Sequence, residues 1–360
     1  MDLSAPRWAR FALALAIGAL GGALANWLNL PLAWMIGSMT ATTLAAAAGA
    51  PLAMPRPLRH VMVAVLGVML GSGFTPEILP QLSEWGVSLF VLVIYSAAAA
   101  AAGTVYFRRW AGYDRTTAFF AAMPGGLSEM ILVGGAMGGD ARIISLTHAA
   151  RILFVVTTLP IAFQILLGYE PAAREALAAG SGLLDGLSLK EGALLLGCGV
   201  VGFLVAHLLK LPAAAIIGPM AASAALHLAG ISEAKPPDLL VSIAQVVIGT
   251  SVGCRFAGVT ARVIGRALAF AAGSTVILLA ISMVFALLVH GLTRLPLAGL
   301  VMAYAPGGLA EMSLIALVLS IETAFVATHH MLRIFLIVVL APTLFRRLGW
   351  QDRAAPNDPP

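Results

Sequence analysis

The chain has 360 residues, of which 60% are hydrophobic and only 10% are charged, whereas a soluble domain has roughly 45–50% apolar and about 25% charged residues. This composition excludes a soluble enzyme, a disordered chain and a secreted disulfide scaffold, because a soluble fold must keep enough polar side chains to face water. The formal net charge of +5 comes from arginines in short loops between apolar runs, where basic residues mark the cytoplasmic side of a membrane. Nucleic-acid binding is therefore not expected.

Apolar segments follow one another along the whole chain, and each is about long enough as a helix to cross ~30 Å of hydrocarbon. The first follows Arg7 and Arg10 as in a signal peptide, but it lacks a convincing small-residue cleavage site and is interpreted as an uncleaved helix. The sequence thus predicts an all-α polytopic membrane protein. The segments are 9–28, 31–50, 58–75, 86–107, 116–139, 142–168, 191–209, 213–230, 238–256, 267–291, 297–320 and 325–345.

An internal duplication is the most informative feature of the sequence. The run Pro124–Met130 (PGGLSEM) recurs as Pro306–Met312 (PGGLAEM), at an offset of 182 residues. The same offset pairs a His-x-x-Arg motif that begins at His148 with one that begins at His330. Chance does not account for such an alignment, so we expect two homologous six-segment repeats.

The domain boundaries follow from this duplication. We expect a first membrane repeat at 1–170 and a second at 191–350. Residues 171–190, rich in Gly, Ala and acidic residues, are predicted to be a surface linker. The short polar tail, 351–360, is predicted to be disordered.

The fifth segment of each repeat differs from the others because it carries Pro-Gly-Gly near its centre. Proline removes a backbone donor and glycine disfavours helix, so a continuous helix is not expected there. Interrupted backbone at membrane depth persists only where it is buried in protein or lines a wet cavity. We therefore predict that each fifth segment is re-entrant or discontinuous.

Two topologies are compatible with these segments, and loop charge helps to choose between them. If each fifth segment is a re-entrant hairpin, the second repeat is inverted and the chain makes about ten full crossings plus two hairpins. This arrangement places 15 basic residues on the cytoplasmic side and 4 outside, whereas twelve crossings with parallel repeats place 14 and 5. Loop charge and the matching broken segments favour inverted repeats, with both termini cytoplasmic.

The two broken segments also predict a shared binding site. In an inverted repeat both Pro-Gly-Gly tips meet near the midplane, and each opens a half-helix whose free N–H groups and positive dipole end favour an anion or a carboxylate. A tight turn without a ligand is the alternative. The tip residues predicted to bind substrate are Pro124, Gly125, Gly126, Ser128, Glu129, Pro306, Gly307, Gly308 and Glu311.

Two carboxylates and two guanidinium groups lie within the apolar segments, where charge is costly and is usually paired or functional. Glu129 and Glu311 follow the tips by about one turn, a position from which they can also cap their half-helices. Arg151 and Arg333 lie about nine residues into the sixth segments, or ~13 Å at 1.5 Å per residue. Because a guanidinium keeps its charge, we expect each arginine to pair with one of these glutamates and to contribute to the substrate site.

Histidines precede both arginines by three residues, so His148 and His330 share a helix face with Arg151 and Arg333. Histidine titrates near neutral pH. We therefore regard the two histidines, together with the two glutamates, as candidates for proton or ion coupling. A hydrogen-bonded packing histidine is the alternative.

Other motifs predict packing and capping rather than chemistry. The Gly-x-x-x-Gly motifs at Gly67–Gly71 and Gly249–Gly253 are typical of closely packed membrane helices. Asp140 and Glu322, between the fifth and sixth segments, are predicted to be N-caps or first-turn residues. No metal site and no cofactor are expected, since the cysteines are isolated and no histidine cluster has ligand spacing.

The duplicated Pro-Gly-Gly-x-x-Glu-Met block, followed in each half by His148 and Arg151 or by His330 and Arg333, resembles the bacterial AbrB-duplication family of inner-membrane proteins. The resemblance covers nearly the whole chain. It implies a transporter of the inverted-repeat type, although labels in the family range from regulator to ammonia monooxygenase. The resemblance does not supply a substrate.

The sequence favours a secondary transporter, not an enzyme, that moves a small polar or anionic solute by alternating access and is coupled to protons or ions. A membrane-embedded regulator or scaffold and a channel are the alternatives. The expected partners are the solute, the coupling ion and the lipid bilayer, and the oligomeric state is left open, with a homodimer as one option. The expected location is the bacterial inner membrane.

Overall fold

The computed structural model describes residues 6–168, 187–348 and 350, and this part of the chain is helical without strands. The predicted linker lies mostly, and the predicted tail entirely, outside the described residues; Leu189 and Lys190 of that linker already belong to a helix. The helices of the first half are α1 Arg7–Trp27, α2 Ala33–Ala47, α3 Arg56–Gly71, α4 Gly86–Tyr106, α5 Arg115–Ala122, α6 Leu127–Ala136 and α7 Ala141–Leu167. Those of the second half are α8 Leu189–Leu208, α9 Ala214–Leu228, α10 Asp238–Gly253, α11 Ala261–Thr293, α12 Leu297–Tyr304, α13 Leu309–Val318 and α14 Thr323–Arg347.

The helices coincide with the apolar segments of the sequence to within a few residues at most ends. Among the described residues, seven helices are long and apolar enough to cross a membrane, and α6, α9 and α13 are shorter apolar helices. The prediction of an all-α polytopic membrane protein is confirmed. Both fifth segments are broken where the sequence indicated, between α5 and α6 and between α12 and α13.

The first two helices of each repeat cross at a pair of glycines. Gly21 of α1 lies directly against Gly37 of α2, where a methyl group on either residue would collide with the backbone carbonyl of the other. Gly202 of α8 and Gly218 of α9 make the same crossing in the second half. The offset between the two crossings is 181 residues, which agrees with the internal duplication.

The Gly-x-x-x-Gly motifs pack across the repeat boundary. A methyl group at Gly67 of α3 would lie 2.6 Å from the carbonyl oxygen of Ile216 in α9, and one at Gly71 would lie 2.6 Å from Cβ of Ser223. In the equivalent contact of the other repeat, a methyl group at Gly249 of α10 would lie 2.6 Å from the carbonyl oxygen of Met35 in α2. The prediction that these glycines permit close helix packing is confirmed. In each contact the third helix of one repeat packs against the second helix of the other.

Equivalent helices of the two repeats run in opposite directions. Arg59 lies in the first turn of α3, while Arg255 lies two residues after the end of α10, yet both residues line one cavity. The start of α3 therefore lies beside the end of α10, and these two helices pack against each other. Since α3 and α10 occupy equivalent places in the duplication, their opposite directions are those of an inverted repeat.

Each broken segment folds back on itself as a helical hairpin. The backbone N–H of Asp140, after α6, donates to Oγ1 of Thr117 in α5 at 2.8 Å. A methyl group at Gly134 near the end of α6 would lie 2.9 Å from Cβ of Phe120 in α5. In the second segment, a methyl group at Gly299 of α12 would lie 3.9 Å from Cγ2 of Ile321, which follows α13. In a continuous helix these three pairs would be about 35, 21 and 33 Å apart at 1.5 Å per residue, so the chain reverses at both Pro-Gly-Gly breaks.

Asp140 also caps the helix that follows the first hairpin. Its carboxylate accepts from the backbone N–H groups of Arg142 and Ile143 at 2.8 and 3.0 Å, as predicted for an N-cap. Glu322 occupies the equivalent N-cap position of α14 without a side-chain cap hydrogen bond. The two repeats are thus similar in backbone but not identical in polar contacts.

Candidate functional site

A cavity of about 290 Å³ lies where the two hairpin tips meet. The tips come from opposite repeats, and each presents the first turn of its second half-helix, α6 or α13, to the cavity. The remaining wall comes from the start of α3, the end of α8, the start of α9, and the second half of α10 with the turn after it, with one residue each from α7 and α14. The tip residues in the wall are Gly126, Leu127, Ser128, Glu129, Gly308, Leu309, Ala310 and Glu311.

The carboxylates of Glu129 and Glu311 fold back over the glycine that precedes their own half-helix. A methyl group at Gly126 would collide with Oε2 of Glu129, and one at Gly308 would collide with Oε2 of Glu311. Both glutamates are in the first turn of their helices, as expected. A glutamate charge at this place is stabilised by the positive end of the helix dipole. Each tip therefore already holds a carboxylate of the chain itself.

The two glutamates differ in their other contacts. Oε1 of Glu129 accepts from the backbone N–H of Ala213, the N-cap of α9, at 3.1 Å. This side chain is half-buried, whereas Glu311 is only 8% exposed. The carboxylate of Glu311 interacts with its own backbone N–H but has no hydrogen bond to another residue within the described chain. Glu311 is thus a buried carboxylate in a cavity wall, and no other residue of the described chain hydrogen-bonds to it.

Arg151 reaches the end of the first half-helix rather than a carboxylate. Its Nη2 donates to the carbonyl oxygen of Met123 at 3.0 Å, and its Nη1 lies 3.4 Å from those of Ala121 and Ala122. These carbonyls end α5 and point at the break, where the helix dipole is negative. The guanidinium therefore supplies donors to carbonyls that have lost their helical partners.

Arg333 repeats this arrangement with shorter bonds. Its Nη1 donates to the carbonyl oxygen of Ala305 at 2.7 Å and its Nη2 to that of Gly307 at 2.6 Å. The side chain is only 1% exposed. In each repeat the arginine of the sixth segment thus donates hydrogen bonds to the carbonyl oxygens at the break of the fifth segment.

The expected pairing of these arginines with the tip glutamates is wrong for the described residues. Neither Arg151 nor Arg333 makes an ion pair with Glu129 or Glu311; their partners are carbonyl oxygens and a histidine. The physical reason is that the broken helix offers two sets of unsatisfied groups. The N–H groups after the break attract the glutamate, and the carbonyls before it attract the arginine.

The histidines hold the arginines in place. Nδ1 of His148 lies 2.9 Å from Nη2 of Arg151, and its Nε2 lies 2.9 Å from the carbonyl oxygen of Phe120. His330 makes the same two contacts with Arg333 and Met302, at 2.8 and 3.0 Å. A guanidinium can only donate and a carbonyl can only accept. Each ring must therefore accept at Nδ1 and donate at Nε2, which is a neutral imidazole with both nitrogens occupied.

The cavity wall contains some of the predicted substrate residues and not others. Ser128 and Glu129 of the first tip and Glu311 of the second line it, together with the second glycine of each tip. The remaining predicted site residues are not among the lining residues; they form the breaks or hydrogen-bond to them from the sixth segments. These are Pro124, Gly125, Pro306, Gly307, Arg151, Arg333, His148 and His330.

The structure adds two arginines and two histidines that the sequence did not indicate as site residues. The cavity lining includes Arg59, His60, His207 and Arg255 together with the tips. Loop arginines are normally topology signals, and these two are not equivalent in the duplication. The only sequence signal is that inverted repeats bring the start of α3 to the end of α10, which requires the topology to be known first.

Duplicated helices that run in opposite directions, with two broken segments meeting at one cavity, define a polytopic membrane protein of the inverted-repeat type. The family described as "Transition state regulatory protein AbrB" matches residues 34–349. The chain belongs to this family.

Two relatives support the assignment over nearly their full length. An "Uncharacterized protein YhjN" of Bacillus subtilis (strain 168) is 28% identical, with 93% of this chain and 92% of the relative covered. A "Putative regulator AbrB" of Escherichia coli (strain K12) is 26% identical, with 88% of this chain and 90% of the relative covered. These names assign a regulatory role to one relative and no role to the other.

Proposed function

We propose that the protein is a secondary transporter that moves a small polar or anionic solute by alternating access. The observation that carries this proposal is the single cavity formed by both Pro-Gly-Gly tips, one from each inverted repeat. Discontinuous helices in matching positions of inverted repeats are the usual location of substrate and coupling-ion sites in such transporters. The volume of about 290 Å³ suits a small solute.

The proposed topology follows from the hairpins. We propose that α5–α6 and α12–α13 enter and leave the membrane from one side each, so that each repeat crosses five times and the second is inverted. Arg59 and Arg255, which the charge distribution assigns to the cytoplasm, lie in the cavity wall. The described conformation is therefore proposed to be open to the cytoplasm of the bacterial inner membrane, with both termini on that side.

The proposed coupling site is the pair of tip glutamates. A carboxylate at membrane depth can take up a proton or a cation, and both glutamates line the cavity. The histidines are less suited to this role, because both ring nitrogens of His148 and His330 are occupied by hydrogen bonds. We assign them a supporting role for the arginines.

Flux through reconstituted protein tests the proposal. Proteoliposomes with an imposed pH or sodium gradient are supplied with radiolabelled acetate, succinate, lactate and the amino acids. We expect uptake of at least one solute that depends on the gradient and is reduced in Glu311→Gln. Absence of flux for all of them, together with capture of a cytoplasmic partner, would support the regulatory role that the name of one relative suggests. Ion conductance in planar bilayers without coupled uptake would support a channel.

A further inference from the structure

We infer that the cavity selects a zwitterion: a small solute that carries an ammonium group and a carboxylate, such as an amino acid. This inference names the substrate class of the proposed transporter. Binding of the zwitterion does not depend on transport; only the statement that the bound zwitterion is then moved across the membrane rests on the proposed function. Its basis is a set of charged side chains of both signs that line one cavity without pairing with each other.

The acidic side of the cavity is Glu311. Glu311 is only 8% exposed, and the only hydrogen bond of its carboxylate among the described groups is with its own backbone N–H. The carboxylate occupies the place over Gly308 where a helix N-terminus would otherwise receive an anionic ligand. The tip therefore presents a carboxylate to the cavity, and the ligand group that fits it is a cation.

The basic side of the cavity is formed by Arg59 and Arg255. Both are partly exposed and line the same cavity as Glu311. Within the described chain neither guanidinium has a carboxylate or carbonyl partner. The two arginines act on each other electrostatically across the cavity they line. Guanidinium groups without carboxylate or carbonyl partners are suited to a carboxylate, which accepts two parallel N–H bonds.

The two sides are close enough to interact electrostatically but do not form an ion pair. Arg59 acts on Glu311 through space, although no salt bridge joins them within the described residues. A ligand with one charge would satisfy one side and leave the other unpaired in a partly buried wall, which is unfavourable. A zwitterion that bridges the gap satisfies both. At about 30 Å³ per water molecule, the cavity of about 290 Å³ holds roughly ten waters, which limits the ligand to a small one.

Two matched series of probes test the inference. Isothermal titration of the purified full-length protein in detergent uses alanine, lactate and alaninamide, which share a skeleton and differ in charge; 4-aminobutanoate, butanoate and butan-1-amine test a wider charge separation. The other proteinogenic amino acids complete the panel, each up to about 10 mM, so that millimolar Kd values are detected. We expect at least one zwitterion to bind about tenfold or more tightly than its singly charged counterparts.

Three substitutions assign the charges. Arg59→Gln and Arg255→Gln are expected to weaken binding of that zwitterion about tenfold or more, because each removes a carboxylate partner. Glu311→Gln is expected to reverse the preference toward the singly charged anion, a result that general loss of structure would not give. Arg56→Gln is the control, since Arg56 is exposed on the same helix and does not line the cavity.

The outcomes separate this inference from the transport proposal. Equal binding of lactate and alanine, or binding of no zwitterion in the panel, would overturn the inference. Gradient-driven uptake of lactate without uptake of zwitterions would also overturn it while leaving transport in place. Specific binding of a zwitterion without any flux in proteoliposomes would support the inference and contradict transport.

Discussion

Oε1 of Glu129 accepts a hydrogen bond from the backbone N–H of Ala213 at 3.1 Å, which fastens the hairpin tip of the first repeat to the start of α9 in the second. The equivalent pair in the duplication is Glu311 with Leu32, and no such bond joins these residues in the described structure. Leu32 and Ala213 both have left-handed backbone, with φ of 50° and 49°. The two repeats thus share the backbone conformation at this position, but among the described residues only Ala213 donates a hydrogen bond to a tip glutamate.

The contact between Glu129 and Ala213 predicts a difference between two substitutions. Glu129→Ala removes the acceptor and is expected to lower the free energy of unfolding by about 1–3 kcal/mol, since the N–H group of Ala213 loses its partner. Glu129→Gln keeps an acceptor oxygen and should lose less. Thermal unfolding in detergent checks this, with the exposed Glu84→Ala as control. Equal losses for the two Glu129 variants would show that the charge, and not the hydrogen bond, stabilises the tip.

The second glycine of each tip is predicted to be required because of the glutamate above it. Gly126→Ala and Gly308→Ala place a methyl group against the carboxylate of Glu129 or Glu311. Neither glycine has positive φ, so the backbone tolerates alanine and the collision alone is tested. We expect each variant to lose most of its solute binding or flux. Gly197→Ala, with open space around it, should leave both unchanged; normal activity of both tip variants would refute the described carboxylate positions.

Replacing Arg333 with lysine is predicted to be strongly destabilising although the charge is kept. The guanidinium bridges two carbonyls and a histidine at once, which a single ammonium group cannot reproduce. Leaving buried acceptors unsatisfied costs about 1–3 kcal/mol per group. Chemical unfolding of Arg333→Lys should show a loss of about 2–5 kcal/mol, against almost none for the exposed Arg347→Lys. A loss below about 1 kcal/mol would mean that the carbonyls find other donors.

The histidines are predicted to affect stability and not coupling. His330→Ala deprives Arg333 of an acceptor and the carbonyl of Met302 of a donor, so a loss of about 2–4 kcal/mol is expected. His148→Ala should behave in the same way because its contacts are equivalent. Uptake that remains, measured per folded molecule, should keep its dependence on the pH gradient. Loss of that dependence at unchanged stability would contradict this prediction and support the alternative that the histidines carry the coupling proton.

Much of the fold could be predicted because it depends on the apolar segments and on motifs that recur in both halves of the sequence. The Pro-Gly-Gly motifs predicted the breaks, and the glycine pairs at Gly67–Gly71 and Gly249–Gly253 predicted close packing, since both effects depend on the local chemistry of one residue type. The capping role of Asp140 followed for the same reason. These predictions required no knowledge of which helices are neighbours.

The site itself was only partly predictable. The pairing expected between Arg151 and Glu129 failed because opposite charges were matched by sequence symmetry alone, whereas a broken helix attracts the arginine to its carbonyls and the glutamate to its N–H groups. Arg59 and Arg255 were missed because they come from opposite ends of equivalent helices. Only the antiparallel relation of α3 and α10 brings them into one cavity.

The central claim is that both hairpin tips face one transport cavity, and cross-linking the tips tests it most directly. Ser128→Cys and Ala310→Cys, both in the cavity wall, are combined with replacement of the native Cys198 and Cys254 by alanine. A short reversible bifunctional thiol reagent is expected to link the pair within one chain and to stop gradient-driven uptake in proteoliposomes, and reduction should restore it; each single cysteine variant is the control. Efficient labelling of both cysteines without an intramolecular link, or unchanged uptake after linking, would contradict the account.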